Sequence, residues 1–218
     1  MVDLLIFDLD GTLIDSKLDL ANSVNATRAQ MGLGPLDLKV IATYVGSGAP
    51  VLIRKALGPD AADAAVAHGL AFFLDHYRAH ALDATALFPG VDDSLRRLHS
   101  AGKRLSVLTN KPQGISRDMI CRLGLGSLFF RVYGGDSFAA KKPDSTGVLQ
   151  LMAESDTPKH LTMMVGDTAV DVQTARNAGV RVCGVSYGFS PESLHDPEPD
   201  LIVDRMPELA DRVLRAEL

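Results

Sequence analysis

The sequence predicts an α/β fold, a parallel-sheet core interrupted after its first strand by an insertion of helices. Three observations carry this. Short apolar runs recur at Leu4–Phe7, Leu105–Leu108, Leu161–Val165 and Val180–Val185. Runs of that length bounded by polar residues read as strands buried on both faces. Stretches of helical period alternate with them, which implies right-handed crossovers and a parallel sheet. Between residues 16 and 85 only helical spacing is found. The organisation that follows is a core of residues 1–15 and 86–218 and a helical cap of residues 16–85.

Each element has its own signal. Leu4–Phe7 runs into Asp8-Leu9-Asp10-Gly11, where the glycine permits a tight turn. Ser16 and Asp19 are helix-start residues, and Leu20, Val24, Thr27 and Met31 follow at helical spacing until Gly32–Pro35 breaks it. A second helix begins near Asp37 and ends before Gly46 and Gly48. A third runs through Val51–Leu57 to Gly58-Pro59. A fourth, from Asp60 to about His80, carries Leu70, Phe73, Leu74 and Tyr77 on one stripe. Phe88-Pro89-Gly90-Val91 marks the return to the core. A helix with Leu95 and Leu98 stops at Gly102, and the strand Leu105–Leu108 ends at Thr109-Asn110-Lys111-Pro112. There follow a helix over 113–125, a short strand at Arg131–Gly134 and a helix over 145–154. The strand Leu161–Val165 ends at Gly166-Asp167-Thr168, and the next helix stops near Gly179. Val180–Val185 and Leu201–Val203 are the last strands, before a C-terminal helix.

Composition narrows the function. The chain has 218 residues, 46% apolar and 22% charged, as in an ordinary globular protein. A net charge of −5 argues against nucleic acid and anionic membranes as partners. No apolar run is long enough to cross a bilayer, and the N-terminus does not read as a signal peptide. Cys121 and Cys183 have no metal-ligand spacing, so they read as small apolar residues in a reducing, cytoplasmic compartment. None of the six histidines is assigned to a site.

The chemistry gathers at strand ends. Asp8 and Asp10, Thr109 and Asn110, and Asp167 each close a core strand, and ligands of open parallel sheets bind at that edge. Asp171 lies one helical turn past Asp167. Lys142-Pro143 follows another short strand. Two carboxylates as close as Asp8 and Asp10 imply a cation between them, an acid/base partnership, or both. Taken alone, that segment also reads as a solvated turn. Four carboxylates together call for a divalent cation, and oxygen-only ligands favour Mg²⁺.

These stretches resemble the four motifs of the haloacid dehalogenase-like hydrolases. The matching residues are Asp8-Leu9-Asp10-Gly11-Thr12-Leu13, Thr109-Asn110, Lys142-Pro143 and Gly166-Asp167-Thr168-Ala169-Val170-Asp171. They stand in the family's order, and the resemblance covers essentially the whole chain. It implies a Rossmann-like parallel sheet with an inserted helical cap. Within the family, Tyr44–Pro50, Leu87–Val91 and Tyr133–Asp136 look most like phosphoglycolate phosphatases. Ser145 departs from the pattern, since a second proline usually stands there.

By resemblance, Asp8 is the nucleophile that forms an aspartyl-phosphate, and Asp10 is the general acid and then base. Thr109 and Asn110 bind phosphoryl oxygens, with Gly11 beside them, and Lys142 offsets transition-state charge. Asp8, the backbone carbonyl of Asp10, and Asp167 hold Mg²⁺. Asp171 holds a water beside the metal or orients Lys142, or serves only as an anion in a helix's first turn. In the cap, Ser47 and Gly48 belong to a loop that could fold over the substrate. Arg54 could bind a substrate carboxylate or be a surface arginine.

The function implied is Mg²⁺-dependent hydrolysis of a small phosphorylated metabolite, 2-phosphoglycolate first, by a monomer or weak dimer. The alternatives are a phosphotransferase such as a sugar-phosphate mutase, and a phosphatase for another small ester or pyrophosphate. Dehalogenation needs no acid at Asp10. A non-catalytic binding module on this fold would be expected to lack Asp8 or Asp10.

Overall fold

The computed structural model describes residues 1–218. Its six-stranded sheet contains β1 (Leu4–Phe7), β4 (Arg104–Leu108), β5 (Arg131–Tyr133), β6 (Thr162–Gly166), β7 (Arg181–Val185) and β8 (Leu201–Val203). The order is β5-β4-β1-β6-β7-β8, with every pairing parallel. β1 is central, with Leu4 opposite Arg104 on one side and Thr162 on the other. The chain winds outward in both directions from β1, so the crevice of a doubly wound sheet opens at its carboxyl end.

Both faces of the sheet are covered. Leu4 and Ile6 join Val148, Leu151, Val172 and Ala175 of α7 (Thr146–Ser155) and α8 (Ala169–Ala178). Leu5 and Phe7 face the other way, into a cluster with Leu95, Met119 and Leu209. Those three come from α5 (Val91–Ser100), α6 (Gln113–Arg122) and α9 (Met206–Leu214). All four β1 side chains are buried, each stabilising the fold by about 1.5–3 kcal/mol. This two-sided burial is why the strand reads as an unbroken apolar run.

The insertion holds α1 (Lys17–Gln30), α2 (Leu38–Ala42), α3 (Ala49–Leu57) and α4 (Asp63–His80). α4 buries Val66, Gly69, Phe73 and Tyr77, while Leu70 and Leu74, expected on the same stripe, are only partly buried. Two strands escape the sequence reading. β2 (Ile14–Asp15) and β3 (Ala86–Leu87) pair antiparallel, Asp15 opposite Ala86, where the chain enters and leaves the helices. Two residues are too few to show a period.

A buried carboxylate ties these two crossings together. Asp19 accepts hydrogen bonds from the Ala84 N–H at 3.0 Å, the Thr85 N–H at 2.8 Å and the Thr85 hydroxyl at 2.7 Å. Asp19→Ala leaves those donors without an acceptor, and Thr85 is itself buried. A loss of about 2–4 kcal/mol in urea unfolding is expected, from roughly 1–3 kcal/mol per unsatisfied buried group. A loss below about 0.5 kcal/mol would show that water replaces Asp19.

Candidate active site

Three neighbouring strands deliver their ends to one place. Asp8 follows β1, Thr109 follows β4 and Asp167 follows β6. The Asp8 N–H donates to the Val165 carbonyl at 2.9 Å, which carries the β1–β6 pairing up to the carboxylates. Asp8, Asp167 and Asp171 each offer a carboxylate oxygen within 4.8 Å of the others, and all three are buried.

Asp167 sits in a slot that a side chain would fill. A Cβ on Gly11 or on Gly188 would overlap its carboxyl group or side chain. Its oxygens accept from the Thr12 hydroxyl at 3.1 Å and the Phe189 N–H at 2.8 Å. Gly11 therefore backs Asp167 rather than lining the cavity, where it was expected beside substrate.

Lys142 is the cation of this cluster. Its ammonium lies 2.6 Å from Asp171 Oδ1 and 2.9 Å from Asp8 Oδ1. Burial works against its charge, but Asp171 and Asp8 outweigh this and raise its pKa. The Asp8 contact lacks hydrogen-bond alignment, so Asp8 Oδ1 is buried with no hydrogen bond. Asp171 Oδ2 accepts from the Thr168 N–H at 3.1 Å and the Thr168 hydroxyl at 2.8 Å. Of the roles expected for Asp171, its hydrogen bonds serve two: Oδ1 orients Lys142, and Oδ2 caps the first turn of α8.

Burial pushes the Asp8 carboxyl up to about 6, with Lys142 opposing and Asp171 adding to the rise. Burial, then Asp171 and Asp8, hold Asp167 well above the usual carboxylate range. Three carboxylates against one ammonium leave two negative charges unmatched. All the donors are oxygens. A divalent cation fits that set.

The Asp10 side chain turns out of the cluster. Lys111 Nζ contacts both its oxygens, at 2.8 and 3.0 Å, and the Ser16 hydroxyl donates to it at 2.6 Å. The side chain is thus no metal ligand here, which leaves its backbone carbonyl for that expectation. Lys111 also donates to the Tyr77 hydroxyl at 2.5 Å and lies 4.4 Å from the ring centroid. Burial opposes the Lys111 charge, but Asp10 and Tyr77 raise its pKa overall. Burial pushes the Tyr77 phenol up to about 12. Sequence reasoning missed both residues. Lys111 directly follows Thr109-Asn110, which was a signal; Tyr77 read only as part of a core stripe.

Other expectations change. The Asn110 side-chain amide donates to the Gly46 carbonyl at 2.9 Å and the Lys142 carbonyl at 3.0 Å, so it staples loops while the residue lines the cavity. Ser47 stands off the cavity, and its carbonyl accepts from Lys141 at 2.8 Å. The Arg54 guanidinium pairs with Asp63 at 2.5 Å and donates to the Ala61 carbonyl at 3.0 Å, away from the cavity. Thr109 and Gly48 do line it. The cavity measures about 40 Å³, room for roughly three waters. Its core side is polar and its helical side apolar, and no histidine lines it.

Comparison with known proteins agrees with this geometry. The model of the family described as haloacid dehalogenase-like hydrolase matches residues 5–185. A phosphoglycolate phosphatase of Pseudomonas putida is 38% identical over 92% of this chain and 76% of its own. One from Vibrio vulnificus is 38% identical over 98% of this chain and 96% of its own. A solved structure described as a predicted phosphoglycolate phosphatase from Haemophilus somnus superposes with a TM-score of 0.91 at 27% identity. It covers 100% of this chain and 98% of that one. With a family model spanning most of its length and relatives of this similarity, the chain is a phosphatase and belongs to the haloacid dehalogenase-like hydrolases.

Proposed function

We propose that this phosphatase hydrolyses a small phosphomonoester, 2-phosphoglycolate, through an aspartyl-phosphate. The observation that carries the reading is the buried group of Asp8, Asp167, Asp171 and Lys142, which reaches a cavity through Asp8 and Asp167. Asp8 attacks phosphorus; its P–O bond forms as the ester P–O bond breaks, and Asp10 gives the leaving alkoxide its proton. Asp10 then takes a proton from water, whose oxygen displaces Asp8 and releases phosphate. Lys142 offsets charge on the phosphoryl oxygens as they pass to Asp8. Asp8, Asp167 and the Asp10 carbonyl would hold Mg²⁺. Bound there, the ion supplies charge neutralisation for phosphoryl transfer. Residues 16–85 act as the cap that shuts bulk water out.

The names of the relatives support 2-phosphoglycolate as substrate. The test is phosphate release from a panel of phosphomonoesters. The highest kcat/KM is expected for 2-phosphoglycolate, with activity lost in excess chelator and regained on adding Mg²⁺. Full activity in chelator excludes the metal. Release from no ester excludes the reading.

A further inference from the structure

We propose that Tyr77 and Lys111 form an anchor for a carboxylate carried by the leaving alcohol, and so select the substrate. This rests on the phosphatase reading above and names the feature of the substrate that the helical insertion recognises.

The cavity wall supplied by the insertion is nearly all apolar. Leu20, Val45, Leu52, Phe73 and Leu74 line it, and Tyr77 is the one residue of that wall with a polar side chain. Lys111 is the one cationic side chain among all the lining residues. These two meet at 2.5 Å, with Lys111 the donor. Tyr77 therefore accepts a hydrogen bond from Lys111 and donates its own proton to no group in the chain. The residue is 1% exposed, so a partner for that proton can come only from the cavity Tyr77 lines. A buried hydroxyl with an unspent proton beside an ammonium is the complement of an anionic acceptor.

Position fixes where that acceptor lies on the substrate. Lys111 touches Asp10 on one side and Tyr77 on the other. The leaving oxygen must approach Asp10. An acidic group held by Tyr77 thus lies one ammonium away from that oxygen, within one or two carbons. A carboxylate on the carbon that bears the ester oxygen satisfies this. A neutral alcohol leaves the Tyr77 proton without an acceptor. A large leaving group has no room among the apolar side chains.

The experiment compares 2-phosphoglycolate with ethyl phosphate, which has the same carbon count and no carboxylate. In the wild type, Tyr77→Phe and Lys111→Met, kcat/KM is measured for both. The ratio favouring 2-phosphoglycolate should fall about tenfold in Tyr77→Phe, through KM, and further in Lys111→Met. Tyr77→Phe keeps the ring and its packing, and thermal unfolding checks that each variant is folded. Binding of both ligands to Asp8→Asn, with and without Tyr77→Phe, gives a readout free of turnover. There 2-phosphoglycolate should lose about tenfold in affinity and ethyl phosphate less than threefold. Equal proportional losses on both ligands overturn the anchor, as does binding of neither. Absence of turnover in the wild type, with discrimination in binding intact, overturns the catalytic reading and leaves the anchor standing.

Discussion

Asp8→Asn is expected to lower turnover by at least about 10⁴-fold, because an amide cannot form the phosphorylated intermediate. The same change should stabilise the metal-free protein at neutral pH. The folded state raises the Asp8 pKa from 3.8 to about 6. Between those values the native protein binds a proton that the unfolded chain has released, so stability falls as pH rises across that window and levels off above it. The shift corresponds to about 3 kcal/mol. Asparagine mimics the protonated carboxyl at every pH. Metal-free Asp8→Asn should therefore be more stable than wild type at pH 7 and nearly equal to it near pH 4. Mg²⁺ should raise the melting temperature of the wild type far more than that of the variant. Turnover within tenfold of wild type would sink the covalent route. A variant less stable than wild type at pH 7 without metal would contradict the crowding of charge.

Lys142→Met should lower both activity and stability. The ammonium is buried against Asp8 and Asp171, and removing it leaves two carboxylates with no cation. Deleting one partner of a buried ion pair costs about 3–5 kcal/mol, and that loss is expected in urea unfolding of the metal-free protein. Turnover should fall about 10³-fold, because a fixed charge at the transferring phosphoryl group is lost. The Lys142 pKa is raised in the fold, so the pair contributes fully below the unfolded lysine value near 10.5 and is lost only as pH climbs past it. The lysine keeps its charge from pH 6 to pH 9, so the penalty should not fade across that range but grow, because without Lys142 the Asp8 carboxyl ionises at still higher pH. Activity within tenfold of wild type, or a penalty that fades by pH 9, would show that Lys142 does not serve Asp8.

The core of this architecture is legible because a buried parallel strand must be apolar throughout. Leu4–Phe7 and Thr162–Gly166 announce themselves, and the polar residue after each is left at the sheet edge. Proximity of Asp8 to Asp167 follows from the pairing of β1 with β6. What could not be read depends on contacts across long sequence gaps. Lys111 meets Tyr77 from 34 residues away and Asp10 from 101. Nothing in the local pattern of α4 separates a tyrosine in a core from a tyrosine that also lines a cavity. Arg54 stayed open between substrate and surface for the opposite reason, and the structure puts it at the surface. Its partner Asp63 lies only nine residues on, but the turn between α3 and α4 that joins them has no fixed spacing rule. Asn110 was correctly placed at the strand end, yet the carbonyls of Gly46 and Lys142 take both its protons.

Asp15 and Ala86 face each other across the β2–β3 pair, so the seventy residues between them leave and rejoin the chain about 5 Å apart. An insertion with its ends side by side strains nothing when its length changes. Evolution can replace such a segment wholesale while the strands that carry Asp8, Thr109 and Asp167 keep their register. Recombination at this one doorway would alter which molecules are admitted, and would also exchange the contacts that Ser16, Gly46 and Tyr77 make to Asp10, Asn110 and Lys111. One catalytic edge can thus be inherited by lineages with unrelated diets. For the engineer, the same doorway is the place to graft a foreign helical segment or to close the gap with a short turn.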